Sequence, residues 1–237
     1  MDEILALLAL EPPGWGGNLL RGLVSSLEIA FGAYFLGLVI GIGGACGKLW
    51  GGETTKAVLD LYTTIVRAVP ELVLILILYF AGTDLINLIL DYFGREPIDI
   101  SGLVAGIAVL GVVQGAYSTE VVRGAIQTIP AGQIEAARAY GMSPWLRLRR
   151  IILPAMLPFA IPGLGNLWLN ATKDTAILAV VGFAELTLET RQAAGSTKRY
   201  FLFYIAAGLL YLMVTLVSTY VIGRIEARVR RGLPRHG

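Results

Sequence analysis

Five stretches of the chain, residues 19–46, 57–81, 101–124, 155–182 and 201–223, are each long and apolar enough to cross a lipid bilayer. The hydrocarbon core takes about 20 mostly apolar residues in a helix. A lone segment in lipid finds no water for its backbone N–H and C=O groups, so each stretch is expected to be a helix that satisfies its own hydrogen bonds. Composition points the same way. Of 237 residues, 56% are hydrophobic and 15% charged, against roughly 25% charged in a soluble domain. With a mean hydropathy of +0.70, such a chain has too little polar surface to cover itself in water. The 29 glycines fit as well, because glycine is commoner in membrane helices than in soluble ones.

The expected fold is therefore an all-α integral membrane protein with five crossings. Residues 1–18 begin with Asp2 and Glu3 and carry only a short apolar run before Pro12 and Pro13. A secretory signal would open basic and have a longer apolar core, so these residues are expected to be an uncleaved lead-in. Residues 19–231 are expected to form one membrane domain, with a long connection at 125–154, and 232–237 a tail. No internal repeat or low-complexity linker divides the chain.

Several chemistries are excluded at this stage. A net charge of +2 is too small to imply a nucleic-acid partner. The one cysteine, Cys46, rules out an internal disulfide and a cysteine-built metal cluster, and reads as a small packing residue. The one histidine, His236, stands second from the end, which argues against histidine catalysis or a histidine-ligated metal within the membrane.

Orientation follows from the basic residues. With the N-terminus outside, the inside receives Lys48, Lys56, Arg123, Arg138, Arg147, Arg149, Arg150, Arg224, Arg228, Arg230, Arg231 and Arg235. The outside receives Arg21, Arg95, Arg191, Lys198 and Arg199. Twelve against five places the C-terminus and the 125–154 connection in the cytoplasm. The connection after the second stretch, with Asp84, Asp91, Glu96 and Asp99, is then an acidic external loop.

The 125–154 connection reads as two short helices joined at a sharp bend. Pro130 suits a first helical turn, and Gly141 suits the left-handed position that ends a helix. Ser143 followed by Pro144 is a cap-and-start pair for the next helix. Ala131, Ala136, Ala137 and Ala139 carry little side chain, so another surface can approach closely. By itself this pattern also suits a helix pair that only anchors the loop at the membrane interface.

Glu135-Ala136-Ala137, Gly141, Ile151, Leu153 and Pro154 resemble, at the same spacing, the E-A-A, three residues, G, nine residues, I-x-L-P loop of the permease subunits of binding-protein-dependent ABC importers. The resemblance implies the five-helix type I importer permease fold, with the loop as a coupling helix that docks on an ATPase subunit. Glu135, Ala136, Ala137, Arg138, Gly141 and Ser143 would then be ATPase contacts or shape the bend behind them. The chain has no G-x-x-x-x-G-K-[ST] phosphate loop. ATP and magnesium therefore belong to the partner, with no cofactor, metal or catalytic residue expected on this chain. Further expected partners are a second identical or similar permease, a second ATPase, an extracytoplasmic substrate-binding protein and the lipid bilayer. The expected location is the bacterial cytoplasmic (inner) membrane.

Arg67-Ala68-Val69-Pro70-Glu71-Leu72 is similar to the R-G-x-P-[DE]-L segment of histidine, ornithine and opine permeases, with Ala68 in place of glycine. The segments at 115–126 and 170–176 also resemble that polar and basic amino-acid branch. Independently, a charge at the centre of a membrane helix costs about 2.5–3.5 kcal/mol on insertion scales and therefore faces a cavity or a partner. Glu28, Arg67, Glu71, Glu120, Lys173 and Asp174 all fall in or near apolar stretches. Arg67, Glu71, Tyr117, Glu120, Lys173 and Asp174 are the candidate pathway residues, with Glu71 and Glu120 expected to favour a cationic or zwitterionic amino acid. Arg67 and Glu71, four apart, could pair along one helix face. Pro158, Pro162, Gly163 and Gly165 suggest a broken fourth helix of the kind that lines transporter sites. A secondary transporter or channel using the same charges is the alternative. An intramembrane protease would need a Ser/His or paired-Asp arrangement, which the scattered acids and the tail histidine do not provide.

Overall fold

The structure is a computed structural model that describes residues 2–97 and 101–230. Among the described residues it is all helical. In chain order the helices are α1 (Asp2–Leu7), α2 (Gly16–Trp50), α3 (Glu53–Ala68), α4 (Glu71–Tyr92), α5 (Gly102–Gln127), α6 (Ala131–Ala139), α7 (Pro144–Arg147), α8 (Leu153–Asp174), α9 (Leu186–Thr197) and α10 (Tyr200–Val229). A π-helical turn, Leu148–Ile152, joins α7 to α8, and a 3₁₀ segment, Thr175–Val181, extends α8. Among the described residues, five helical runs are long and apolar enough to span a membrane: α2, α4, α5, the run from Pro144 to Val181, and α10.

The number of crossings matches the expectation, but the second crossing is displaced. The stretch 57–81 is not one helix. Val69, held extended at φ −92° and ψ 138° by the proline that follows it, ends α3. Pro70 then caps a new helix that carries the crossing, Glu71–Tyr92. Two consequences follow. Arg67 and Glu71 lie on different helices and share no face, and no ion pair joins them among the described residues. Asp84 and Asp91, expected in an acidic loop, are in the second half of α4, while Asp99 lies outside the described residues.

The fourth crossing also differs from its expectation. Pro158 and Pro162 sit inside α8 without ending it. Neighbouring helices and local adjustments make prolines tolerable in membrane helices. Irregularity appears at the two ends instead. The wide turn Leu148–Ile152 ends two residues before Pro154 and makes room for a ring that would otherwise strike the carbonyl of Arg150.

The bundle is built on the pairing of α2 with α5. A Cβ on Gly37, Gly41 or Gly44 of α2 would come within 2.7 Å of Gln114, 2.3 Å of Ser118 or 2.4 Å of Thr119, so these backbones meet at van der Waals distance. Small residues spaced three or four apart are how membrane helices gain close packing where water supplies no drive for their association. Around this seam lie three larger apolar clusters. One joins Ile29, Leu110, Leu178 and Phe183. A second, at the arginine-rich end, joins Ala45, Ile126, Ile152 and Met156. A third docks α9 against α2 and α10 through Leu19, Leu186, Ala194 and Phe203. The outer faces of α3, α4 and α10 expose Ile65, Ile77, Phe80, Leu209 and Leu216, as helices bathed in lipid or packed on another membrane chain do.

Candidate functional site

Three polar constructions stand out in this apolar frame. The first is the α5–α8 connection. Helix α6 ends where the Tyr140 N–H donates to the Ala136 carbonyl, Gly141 to Arg138 and Met142 to Ala137, at 2.9–3.0 Å. Gly141 adopts φ +71°, the left-handed conformation expected of it. The Ser143 hydroxyl accepts from the Leu146 N–H at 3.3 Å and Pro144 opens α7, also as expected. Pro130 sits one position earlier than anticipated, as the cap before Ala131.

The bend divides the candidate coupling residues by face. Glu135, Ala136, Arg138, Gly141 and Ser143 are exposed, and Tyr140 is 86% exposed. Ala137 is buried at 4%. It lies on the covered face of α6, three residues from Ile134, which packs against the cluster of Ile126, Ile152 and Met156, and this sets it apart from Glu135 and Ala136. Beneath the bend a hollow of ≈ 490 Å³ is lined by Trp50, Ile134, Arg138, Trp145, Arg147 and Leu148, among others. The second short helix is the start of the fourth crossing, continuous with it through the π turn.

The second construction is an ion cluster where α2, α3 and α5 converge. Lys48, its side chain only 6% exposed, places Nζ 2.7 Å from Glu120 Oε1, 2.7 Å from Asp60 Oδ1 and 2.6 Å from Thr63 Oγ1. Arg123 grips the other carboxylate oxygen of Glu120 through Nε at 3.1 Å and through NH2 at 2.6 Å, and donates to Gln127 at 2.8 Å. The Lys48 ammonium thus meets three acceptors, as many as it has protons.

The third lies further along α5. Gln114 Nε2 donates to Asp174 Oδ2 at 3.2 Å. Glu71, at the start of α4, lies close to both Asp174 and Tyr117, with Arg67 and Lys173 also near enough to act on them electrostatically. Five of the six candidate pathway residues are therefore gathered at one place. Glu120 is not among them: it stands six residues along α5 from Gln114, about 9 Å at the helical rise, and its partners are those of the second cluster. Lys173 is exposed while its neighbour Asp174 is half-buried, so the two point apart. Gln114 Oε1 and Ser118 Oγ are buried without a hydrogen-bond partner among the described residues.

A helical bundle with five crossings, a bent arginine-rich connection and a glycine seam can be compared with known proteins. Residues 36–231 match the model of the binding-protein-dependent transport system inner membrane component. The chain belongs to this family. It is 41% identical over 231 residues to the nopaline transport system permease protein NocQ of Agrobacterium fabrum, with 97% of this chain and 98% of that protein covered. It is 39% identical over 222 residues to the histidine/lysine/arginine/ornithine transport system permease protein HisQ of Salmonella typhimurium, covering 94% of this chain and 97% of the relative. Among solved structures it superimposes on an amino acid ABC transporter crystallised with histidines, at a TM-score of 0.76 and 31% identity, over 90% of this chain and 95% of that one. The inward-facing MetNI methionine ABC transporter shares the fold at a TM-score of 0.74 and 23% identity, over 90% and 97%. The chain is an inner-membrane permease subunit of an ABC importer.

In this permease, sequence reasoning missed Lys48, Asp60, Thr63 and Gln114. Gln114 left one signal, a lone amide directly after the apolar run Leu110 to Val113. Asp60 left one as well, a charge inside the stretch 57–81, whereas Lys48 left none, because a basic residue at the end of a span reads as an interfacial anchor. Glu28, flagged by its depth in α2, is exposed. Glu185 was also missed. It is fully buried, accepts from the Leu188 N–H at 2.7 Å, from Ser26 at 3.3 Å and from Tyr211 at 3.2 Å, and so ties α9 to α2 and α10.

Proposed function

We propose that this permease moves a basic or zwitterionic amino acid, or an opine, across the inner membrane by alternating access. The Glu71–Asp174–Tyr117 cluster lines the route and α6 transmits the motion of the ATPase. The observation that carries the reading is the split face of α6. Its covered face carries Ala137 and Ile134, and its exposed Glu135, Ala136 and Arg138 form a surface with no occupant among the described residues.

The N-terminus is then outside and the C-terminus in the cytoplasm, as the basic residues require. Two ATPase subunits hold ATP and magnesium, one against the α6 of each of two permeases, and an external binding protein delivers the substrate. The substrate class draws support from the relatives named for nopaline and for histidine, lysine, arginine and ornithine. Two carboxylates close together in a low-dielectric setting create a demand for positive charge. Arg67 and Lys173 meet part of that demand, and a guanidinium or ammonium on the substrate meets the rest.

The test is uptake into vesicles containing the permease, its ATPase and its binding protein. Arginine, histidine and lysine uptake is expected to stop without ATP even when ion gradients are intact, which separates this reading from a secondary transporter or channel. Glu71→Gln is expected to lower uptake of cationic substrates at least about tenfold, the worth of roughly 1.4 kcal/mol, with the amount of inserted protein unchanged. Wild-type uptake by Glu71→Gln would remove this cluster from the route.

A further inference from the structure

On the outer surface of the bundle, away from the Glu71–Asp174 cluster, α2, α8 and α10 enclose a hollow of ≈ 400 Å³. Its walls are apolar, with Leu164, Trp168, Val217, Val221 and Ile225 among them. The polar atoms at its edge are already engaged. The Tyr34 hydroxyl donates to the Leu164 carbonyl at 3.2 Å, and the Trp168 indole donates to Ser218 at 2.9 Å. The rings of Tyr34 and Trp168 meet edge to face at 5.5 Å. Nothing in the hollow asks for a polar ligand.

A second hollow of ≈ 340 Å³ continues the first toward the C-terminal end of α10. The two share Val221 and Ile225, and the second adds Tyr220, Arg224 and Arg228. The depth of these arginines follows from the sequence. Residues 201–223 contain no charge, and 23 residues rise about 35 Å, a little more than the hydrocarbon thickness of about 30 Å. Arg224 and Arg228 therefore emerge at the level of the lipid headgroups. Four apart, they project from the same face of the helix. Glu226, two residues from each, projects from the opposite side.

Neither arginine has a carboxylate partner among the described residues. Arg224 lies over the Tyr220 ring at 5.0 Å and donates to its hydroxyl through a single NH2 group. That contact orients the guanidinium and leaves most of its five N–H donors unused. An apolar channel that opens onto two cations at headgroup depth, one of them oriented by Tyr220, is complementary to one molecule of the surrounding solvent.

We propose that this composite groove binds an anionic phospholipid, with an acyl chain between α2, α8 and α10 and the phosphate between Arg224 and Arg228. A zwitterionic lipid would fill the channel equally well but would bring an ammonium to the arginines. A second copy of the chain would have to bury two arginines for which this chain offers no acceptor on the same face. The groove therefore favours a phosphatidylglycerol-type headgroup, by an amount close to the benefit of two basic residues at a charged membrane surface.

The experiment uses the full chain purified with the ATPase that accompanies it, stripped of lipid in detergent and titrated with phosphatidylglycerol or phosphatidylcholine. Bound lipid is counted by native mass spectrometry. Wild type is expected to retain phosphatidylglycerol in preference to phosphatidylcholine. The double variant Arg224→Gln/Arg228→Gln is expected to weaken phosphatidylglycerol binding roughly thirtyfold. Lys56→Gln, a charge removed from another surface, is expected to leave it unchanged. Val221→Trp keeps both arginines and fills the channel, and is expected to lose the lipid as well. Equal retention of the two lipids, or unchanged phosphatidylglycerol binding by the double variant, would overturn the site. So would disulfide cross-linking between two copies through Val221→Cys, because the groove would then be covered by protein.

Discussion

The consequence of a single residue is sharpest at Gly141. Its φ of +71° lies in the region where a side chain meets the backbone carbonyl, and no neighbouring atom lies within 4 Å of where a Cβ would stand. Substitution there costs backbone strain alone, of the order of 1–3 kcal/mol for a β-branched residue. Gly141→Val is therefore expected to insert normally, because the crossings are untouched. The junction of α6 and α7 should shift and the exposed face of α6 should lose its register on the ATPase. Uptake is expected to fall at least about fivefold, the equivalent of 1 kcal/mol in an equilibrium between two docked states. The amount of protein in the membrane is the control, and unchanged uptake would remove Gly141 from coupling. Glu120 shows the opposite kind of residue. Singled out as a pathway acid, it sits between Lys48 and Arg123 with both oxygens engaged. Its depth in the chain was legible, but the two cations that hold it were not.

At the level of elements, α9 depends on one buried acid. Glu185 caps its first turn and receives Ser26 from α2 and Tyr211 from α10. Burial raises the pKa of this carboxyl above its ordinary value of 4.5, and hydrogen bonds from Thr187, Leu188, Tyr211 and Ser26 work against that rise. A folded-state value above the unfolded one means that the folded form binds its proton more tightly. Its contribution to stability is thus fully present below the ordinary value and is lost as pH rises through the raised one. Thermal unfolding followed upward from pH 4.5 is expected to show that loss in the wild type and a flatter profile in Glu185→Gln, whose amide cannot ionise. Identical profiles would mean that Glu185 does not titrate in this window. The ends of α6 and α7 were readable residue by residue, since Gly141, Ser143 and Pro144 encode their turns locally. The division of 57–81 into α3 and α4 was less so. Val69-Pro70 marks the break, yet the apolar residues on both sides satisfy a span by length alone, and it is the extended backbone at Val69 that makes α3 a separate helix.

For the whole molecule, the bias of basic residues toward one end of the bundle makes an orientation testable. With Cys46→Ser as the background, Glu11→Cys is expected to react with a membrane-impermeant maleimide in intact cells. Lys56→Cys is expected to react only after the membrane is opened. The reverse pattern would turn the proposed route and coupling face around. Membrane residence, the count of crossings and the bent connection were readable from the chain alone, because hydropathy, helix length and turn chemistry are settled within a few consecutive residues and the solvent around them. The meeting of Lys48 with Glu120 and of Gln114 with Asp174, and the nearness of Glu71 to Tyr117, were decided only in three dimensions. Each pair joins residues from separate helices or distant turns, and a charge in lipid takes whichever partner the glycine seam between α2 and α5 and the break at Pro70 bring within reach.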